Sequence, residues 1–228
     1  MSRQLVLALP VRAALGREDF MVSSANAEAL AALADPARWP AGRMVLIGPA
    51  GAGKTHLIHV WAAESGARIL GPEDLAAAPD RVAAAPGPLA VDDAAAAAGD
   101  PAAERGLLHL VNLLAEAGAP LLLAAREPAA RWPLGLPDLA SRLAASGQTR
   151  IGPPDDALLA AVLAKQLADR QLAVQRGVID YLVPRMERSF AAARQLAALL
   201  DRLSLAEKRP IGRALAARAL DMLGAGGE

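Results

Sequence analysis

Cysteine is absent from all 228 residues, which excludes disulfides, thiol nucleophiles and thiolate metal sites. Lysine is nearly absent: Lys54, Lys165 and Lys208 are the only ones, and every other basic side chain is arginine, a bias that reads as genome composition. Net charge is also missing, with 24 basic against 24 acidic side chains. A domain built to read duplex DNA usually carries a net basic face, so sequence-specific DNA binding is not expected. No apolar stretch approaches the roughly 20 residues of a membrane span. The first residues lack the basic and continuous apolar regions of a secretory signal. Together these absences predict a protein of a reducing cytoplasm that does not enter a membrane. What is present is hydrophobic residue content of 54%, much of it alanine, in a chain long enough for one large domain or a main domain with a small appendage.

Apolar runs and helical spacings alternate along the first two thirds of the chain. Residues 24–34 read as a helix closed off by Pro36 and Pro40. Met44-Val45-Leu46-Ile47 reads as a buried strand running into a glycine-rich loop, and a helix follows to Gly66. Further strands are expected at 67–70, 89–91, 120–123 and 148–151, with helices over 102–117 and 136–145. Strands alternating with helices imply an α/β fold, a parallel sheet covered on both faces. Composition shifts at Gly152-Pro153-Pro154. Beyond it the segments 155–170, 175–187, 189–205 and 210–223 all read as helix, an all-α unit the size of a small lid.

The glycine-rich loop is Gly48-Pro49-Ala50-Gly51-Ala52-Gly53-Lys54-Thr55, a complete P-loop between a strand and a helix. Glycines accept the backbone angles that turn N–H groups toward an anion, and the following helix adds the positive end of its dipole. ATP or ADP is therefore the expected cofactor. Gly48, Gly51, Ala52, Gly53, Lys54, Thr55 and His56 would line its phosphates, with Lys54 on the β- and γ-phosphates and Thr55 on Mg²⁺. Asp92 and Asp93 end an apolar strand, where open α/β sheets place ligands. Asp92 would complete the Mg²⁺ shell with Thr55 and Asp93 would position the attacking water; the same pair would also serve as a helix cap. His56 and His59 sit i, i+3 without a third ligand nearby, so they and His109 read as packing or solvent contacts.

Four segments in order resemble the ATPase domain of DnaA-type bacterial replication initiators. They are Asp19-Phe20-Met21-Val22-Ser23-Ser24-Ala25-Asn26, Gly53-Lys54-Thr55-His56-Leu57, Leu136-Pro137-Asp138-Leu139-Ala140-Ser141-Arg142-Leu143 and Arg194-Gln195-Leu196. The resemblance implies a P-loop AAA+ core with a C-terminal all-α lid, divided as 19–152 and 153–228. It implies that Arg142 is an arginine finger acting in a neighbouring subunit, that Arg194 reaches the phosphates from the lid, and that Phe20 and Asn26 lie near the base.

Ahead of the core, Gln4-Leu5-Val6-Leu7-Ala8-Leu9 is similar to the hexapeptide that binds the DNA-polymerase sliding clamp. Gln4 would hydrogen-bond backbone at a pocket rim while Leu5, Leu7 and Leu9 supply apolar contacts; taken alone, the run also reads as an apolar strand on the core. With a flexible segment 1–18, one AAA+ module and no helix-turn-helix domain, the chain resembles the Hda-type regulatory inactivators of DnaA. That family context favours the clamp peptide, and implies the clamp and DnaA as partners and hydrolysis of DnaA-bound ATP as the activity. Homo-oligomers are compatible, since finger residues act between subunits. One departure stands out: Arg126 falls where the initiators carry an acidic sensor residue, which implies weak hydrolysis by the protein itself. Two other readings compete. A helicase loader would share the nucleotide site with a different partner. A small-molecule kinase would need a lid inserted within the α/β core, not after it.

Overall fold

A computed structural model describes residues 22–224. Helix α1 (Ala27–Leu33) buries Ala29 and Leu33. Two 3-10 turns, Pro36–Arg38 and Pro40–Gly42, follow, each begun by a proline whose fixed φ suits a first helical position. Strand β1 (Arg43–Ile47) is buried at every residue, as a central strand covered on both faces must be. Helix α2 (Lys54–Ser65) stops at Gly66, which takes the left-handed capping conformation. Then come β2 (Arg68–Leu70), α3 (Ala78–Ala83), β3 (Leu89–Val91), α4 (Pro101–Glu116), β4 (Leu121–Ala125), α5 (Pro137–Ala144) and β5 (Gly147–Arg150).

The five strands form one sheet in the order β2-β3-β4-β1-β5, and every pairing is parallel. Strand alternation divides the apolar side chains cleanly. Val45, Ile47, Leu89, Val91, Leu121 and Leu123 meet α3, α4 and α5 on one face. Met44, Leu46, Ala90, Leu122 and Ala124 meet α1 and α2 on the other, where the Trp39 and Trp61 rings pack 5.4 Å apart. Each fully buried leucine here contributes about 1.5–3 kcal/mol of hydrophobic stabilisation.

The C-terminal helical region comprises α6 (Asp156–Asp169), α7 (Val178–Leu182), α8 (Phe190–Glu207) and α9 (Arg213–Gly224), gathered around a core of their own. One expectation changes. The helix anticipated over 175–187 is the five-residue α7 followed by a 3-10 turn, Val183–Arg185. Gly177 starts it in a left-handed conformation, and Pro184, which has no N–H to donate, stops it from continuing as an α-helix. Between its helices, Val174 and Ile211 form an isolated parallel β-bridge that joins two loops. Helix α3 was not foreseen: with Pro79 in its first turn and Val82 as its one large apolar residue, it has almost no helical signature. Among the described residues no helix is long and apolar enough to cross a membrane.

Candidate functional site

The loop between β1 and α2 lies at the C-terminal edge of the sheet. Its start is fixed by the Gly48 N–H donating to the Ala125 carbonyl, 3.1 Å away, which ties it to the end of β4. Gly51 and Gly53 have φ of 72° and 97°, values that side-chain-bearing residues adopt only with strain. Gly53 is the N-cap of α2, so the first-turn N–H groups of Lys54 and Thr55 have no acceptor within their own helix. Buried Ala52 anchors the loop from below. His56 follows Thr55 in the same first turn and is half-buried.

Lys54 bends across this loop, its Nζ donating to the carbonyls of Gly48 at 2.7 Å and Pro49 at 2.9 Å. Burial lowers the pKa of its ammonium; attraction to Asp92 opposes this, repulsion from Arg126 adds to it, and Asp93 again opposes it. Asp92 follows β3 directly, and the Thr55 hydroxyl donates to its carboxylate at 2.6 Å. The other Asp92 oxygen accepts from the Asp93 N–H at 3.0 Å. Asp93 takes a left-handed conformation with φ of 49° and starts the turn Ala94–Ala97 without a side-chain cap bond, which removes the capping role considered for it. Its exposed side chain stands beside Lys54, Thr55 and Asp92, so the structure brings all four together.

The chemistry of this cradle fits a magnesium nucleotide. It offers a ring of backbone at glycines, one ammonium, and a hydroxyl beside a carboxylate, both hard oxygen donors. Thr55 and Asp92 would hold the ion. Among the described residues no group of three or more His, Asp or Glu side chains is placed to hold a metal ion by itself.

Helix α8 docks directly on the loop. Ser189 caps it by accepting from the Ala192 N–H, and the Phe190 N–H donates to the Gly51 carbonyl at 2.9 Å. A Cβ at Gly51 would lie 2.8 Å from Ser189 Cβ, and one at Gly53 2.9 Å from the Phe190 ring. Glycine is thus required at both positions twice over, by φ and by the approach of α8. Arg194 lies one turn beyond Phe190 on the exposed side of α8. Asn26 is 3% exposed, and its side-chain oxygen accepts from the Ser23 N–H at 2.9 Å, shaping the turn into α1. That turn reaches the loop's neighbourhood through the Gly152 N–H, which donates to the Ala25 carbonyl. Phe20, Gln4, Leu5, Leu7 and Leu9 lie outside the described residues.

Arg142 is elsewhere. It sits on α5 with its side chain 43% exposed, tethered by a 3.9 Å ion pair to Asp138. Its carbonyl accepts from the guanidinium of Arg43 at 3.2 Å. Arg43 opens β1, whereas the glycine-rich loop follows the end of β1, so a strand's length of about 15 Å separates the two places. The structure does not bring Arg142 to its own chain's loop.

Two residues that sequence reasoning missed hold this second place. Arg43 is buried, and its Nε donates to the Ser146 hydroxyl at 3.3 Å. Burial, and then the Arg142 charge, lower its pKa. Glu104, on α4 and 2% exposed, accepts from the N–H groups of Gly99, Gly135 and Leu136, pinning the entrance to α5. The Gly135 and Gly99 bonds hold its carboxyl below the usual range, against the effect of burial; Leu136 adds to the lowering and Asp100 opposes it. Neither residue belongs to a motif; the available signal was only a charged residue inside an otherwise apolar pattern.

Fold and loop together give a parallel α/β core with the AAA+ type of fold, carrying a P-loop sequence and followed by a helical region. More particularly, the fold is DnaA-like. Domain III of DnaA from Thermotoga maritima matches with a TM-score of 0.79 at 17% identity, over 93% of this chain and 98% of that one. AMPPCP-bound DnaA from Aquifex aeolicus matches with a TM-score of 0.66 at 19% identity, over 82% of this chain and 64% of that one. The Holliday junction branch migration motor RuvB of T. maritima matches with a TM-score of 0.63 at 16% identity, over 79% and 61%. At these identities the likeness is one of fold. No protein-family model and no curated protein matches the chain.

Proposed function

We propose that the protein regulates chromosomal replication initiation by stimulating hydrolysis of ATP bound to the DnaA initiator. The observation that carries this reading is the position of Arg142: exposed, weakly tethered and a strand's length from its own chain's phosphate loop. A guanidinium placed there serves a neighbouring molecule, where neutralising charge on a transferring phosphate is worth about 10³–10⁵ in rate. In this reading residues 19–152 are the nucleotide domain and 153–228 the lid, and Gln4 to Leu9 dock on the DNA-loaded sliding clamp. Docking raises the local concentration of the finger beside clamp-proximal DnaA.

The nucleotide, ADP or ATP with Mg²⁺, supplies phosphate charge that the cradle recognises. The protein's own residues do the rest. Lys54 binds, Thr55 and Asp92 orient, Asp93 positions the attacking water, Phe190 seats the lid on the loop, and Arg194 reaches the phosphates from the lid. Arg126, abreast of Gly48, adds positive charge where an acidic residue would orient water, which supports weak hydrolysis by the protein itself. The kinase reading is disfavoured because the extra helices follow the α/β core.

The test is turnover of labelled ATP pre-bound to DnaA, with and without clamp-loaded DNA. Clamp-dependent loss of ATP, reduced by Gln4→Ala, is expected. No stimulation under any nucleotide condition would sink the proposal and bring the helicase-loader reading forward.

A further inference from the structure

The neutral total of this chain hides a local asymmetry. Between Arg170 and Arg218 there are ten basic and four acidic side chains, so the remaining residues carry a matching excess of acid. The acidic members of this stretch offset less than half of its positive charge. Glu207 is engaged by Arg209 and Arg218. Asp180, Glu187 and Asp201 form no ion pair among the described residues.

At one end of the helical region the excess acquires a defined shape. The β-bridge between Val174 and Ile211 fastens the loops 170–177 and 208–212 together, with the Gln175 N–H donating to Ile211 and the Ile211 N–H to Ala173. These loops carry Arg176 and Lys208, both exposed. Beside them stands Tyr181, the chain's only tyrosine, with two guanidiniums over its ring: Arg185 at 4.3 Å and Arg213 at 4.7 Å from the centroid. Arg185 also donates to the Tyr181 carbonyl at 3.0 Å.

Among the described residues neither guanidinium pairs with a carboxylate. Helix stability does not explain Arg213, since a cation at the first residue of a helix opposes the dipole and α9 has no acid in its first turn. A guanidinium lying on a ring keeps its N–H edges available, held in a plane suited to bidentate contact with phosphate.

We propose that this face binds the phosphodiester backbone of nucleic acid without sequence preference, through Arg176, Arg185, Lys208 and Arg213. The large exposed apolar side chains among the described residues are Val22, Leu205 and Met222, none of them on α7 or in either loop. A membrane surface would find no apolar anchor there. Arginines held on an aromatic ring instead match the furniture of nucleic-acid surfaces. This inference does not depend on the proposed action on DnaA, because nucleic acid alone is its probe.

The experiment is fluorescence anisotropy of the full chain with a mixed-sequence 20-mer offered as duplex DNA, single-stranded DNA or RNA, between 50 and 200 mM salt. At least one arm binds, weakening steeply with salt. Arg185→Ala combined with Arg213→Ala lowers affinity about tenfold or more and reduces the logarithmic salt slope by roughly two. Nucleotide binding and melting temperature stay unchanged. If that pair destabilises the fold, Arg176→Ala with Lys208→Ala, both in surface loops, carries the same expectation. Absence of binding at low salt overturns the proposal. So does unchanged affinity in folded variants, or polyglutamate competing as well as DNA, which would mark a dock for acidic protein.

Discussion

The two ends of β1 are organised on different principles. At its C-terminal end the chain is forced into place by backbone: two glycines at positive φ, a lysine folded onto loop carbonyls, and α8 seated on Gly51. At its N-terminal end the functional candidate, Arg142, is an exposed side chain on a two-turn helix whose backbone alone is firmly held, by Arg43 and Glu104. Rigid backbone suits a site that must enclose a ligand. A loose side chain on a fixed base suits a group that is presented to another molecule and must adapt on contact.

Exchanging the two losses tests this contrast most strongly. Arg142→Ala lowers stimulated hydrolysis of DnaA-bound ATP by about 10³-fold or more while leaving nucleotide affinity unchanged in calorimetry. Lys54→Ala does the reverse first, abolishing measurable nucleotide binding. Equal loss of binding in both variants would collapse the distinction. Next in size is Gly53→Ala, which places a Cβ against Phe190 at a φ of 97°. The backbone strain alone costs about 1–3 kcal/mol, read as a lowered melting temperature together with weaker nucleotide binding.

Glu104 sharpens the other half of the comparison. Because its carboxyl is held below the ordinary range, its contribution is complete above that range and is lost as pH falls through the depressed value. The melting-temperature gap between the wild type and Glu104→Gln is therefore constant near neutrality and narrows in acid. A gap that widened on acidification would contradict the assignment. The smallest effect belongs to Asp138→Ala: an exposed i, i+4 pair at 3.9 Å is worth less than about 0.5 kcal/mol, so stability should not change detectably in denaturant titration.

These contrasts also explain what could be read from sequence. The strands, the P-loop and α2 were legible because their determinants are contiguous: Met44 to Ile47, then glycines at fixed spacing, then a helical run to Gly66. The contact of Phe190 with Gly51 was not, since it joins two unrelated segments and the phenylalanine reads as ordinary core. The hold of Arg43 on Arg142 spans 99 residues, and that of Glu104 on Leu136 spans 32. Nothing local announces either. The basic face around Tyr181 was obscured differently, by averaging, because a neutral sum erased two opposed surpluses.

The seating of α8 has one mechanical consequence. Its 18 residues span about 27 Å, and its first N–H is fastened to the middle of the phosphate loop. That makes the helix a lever with its fulcrum at Gly51. A tilt of about 5° at the fulcrum carries the far end, and Lys208 with it, through about 2 Å. Any rearrangement of the loop small enough to escape notice at Gly51 is thus magnified at the opposite pole of the helical region.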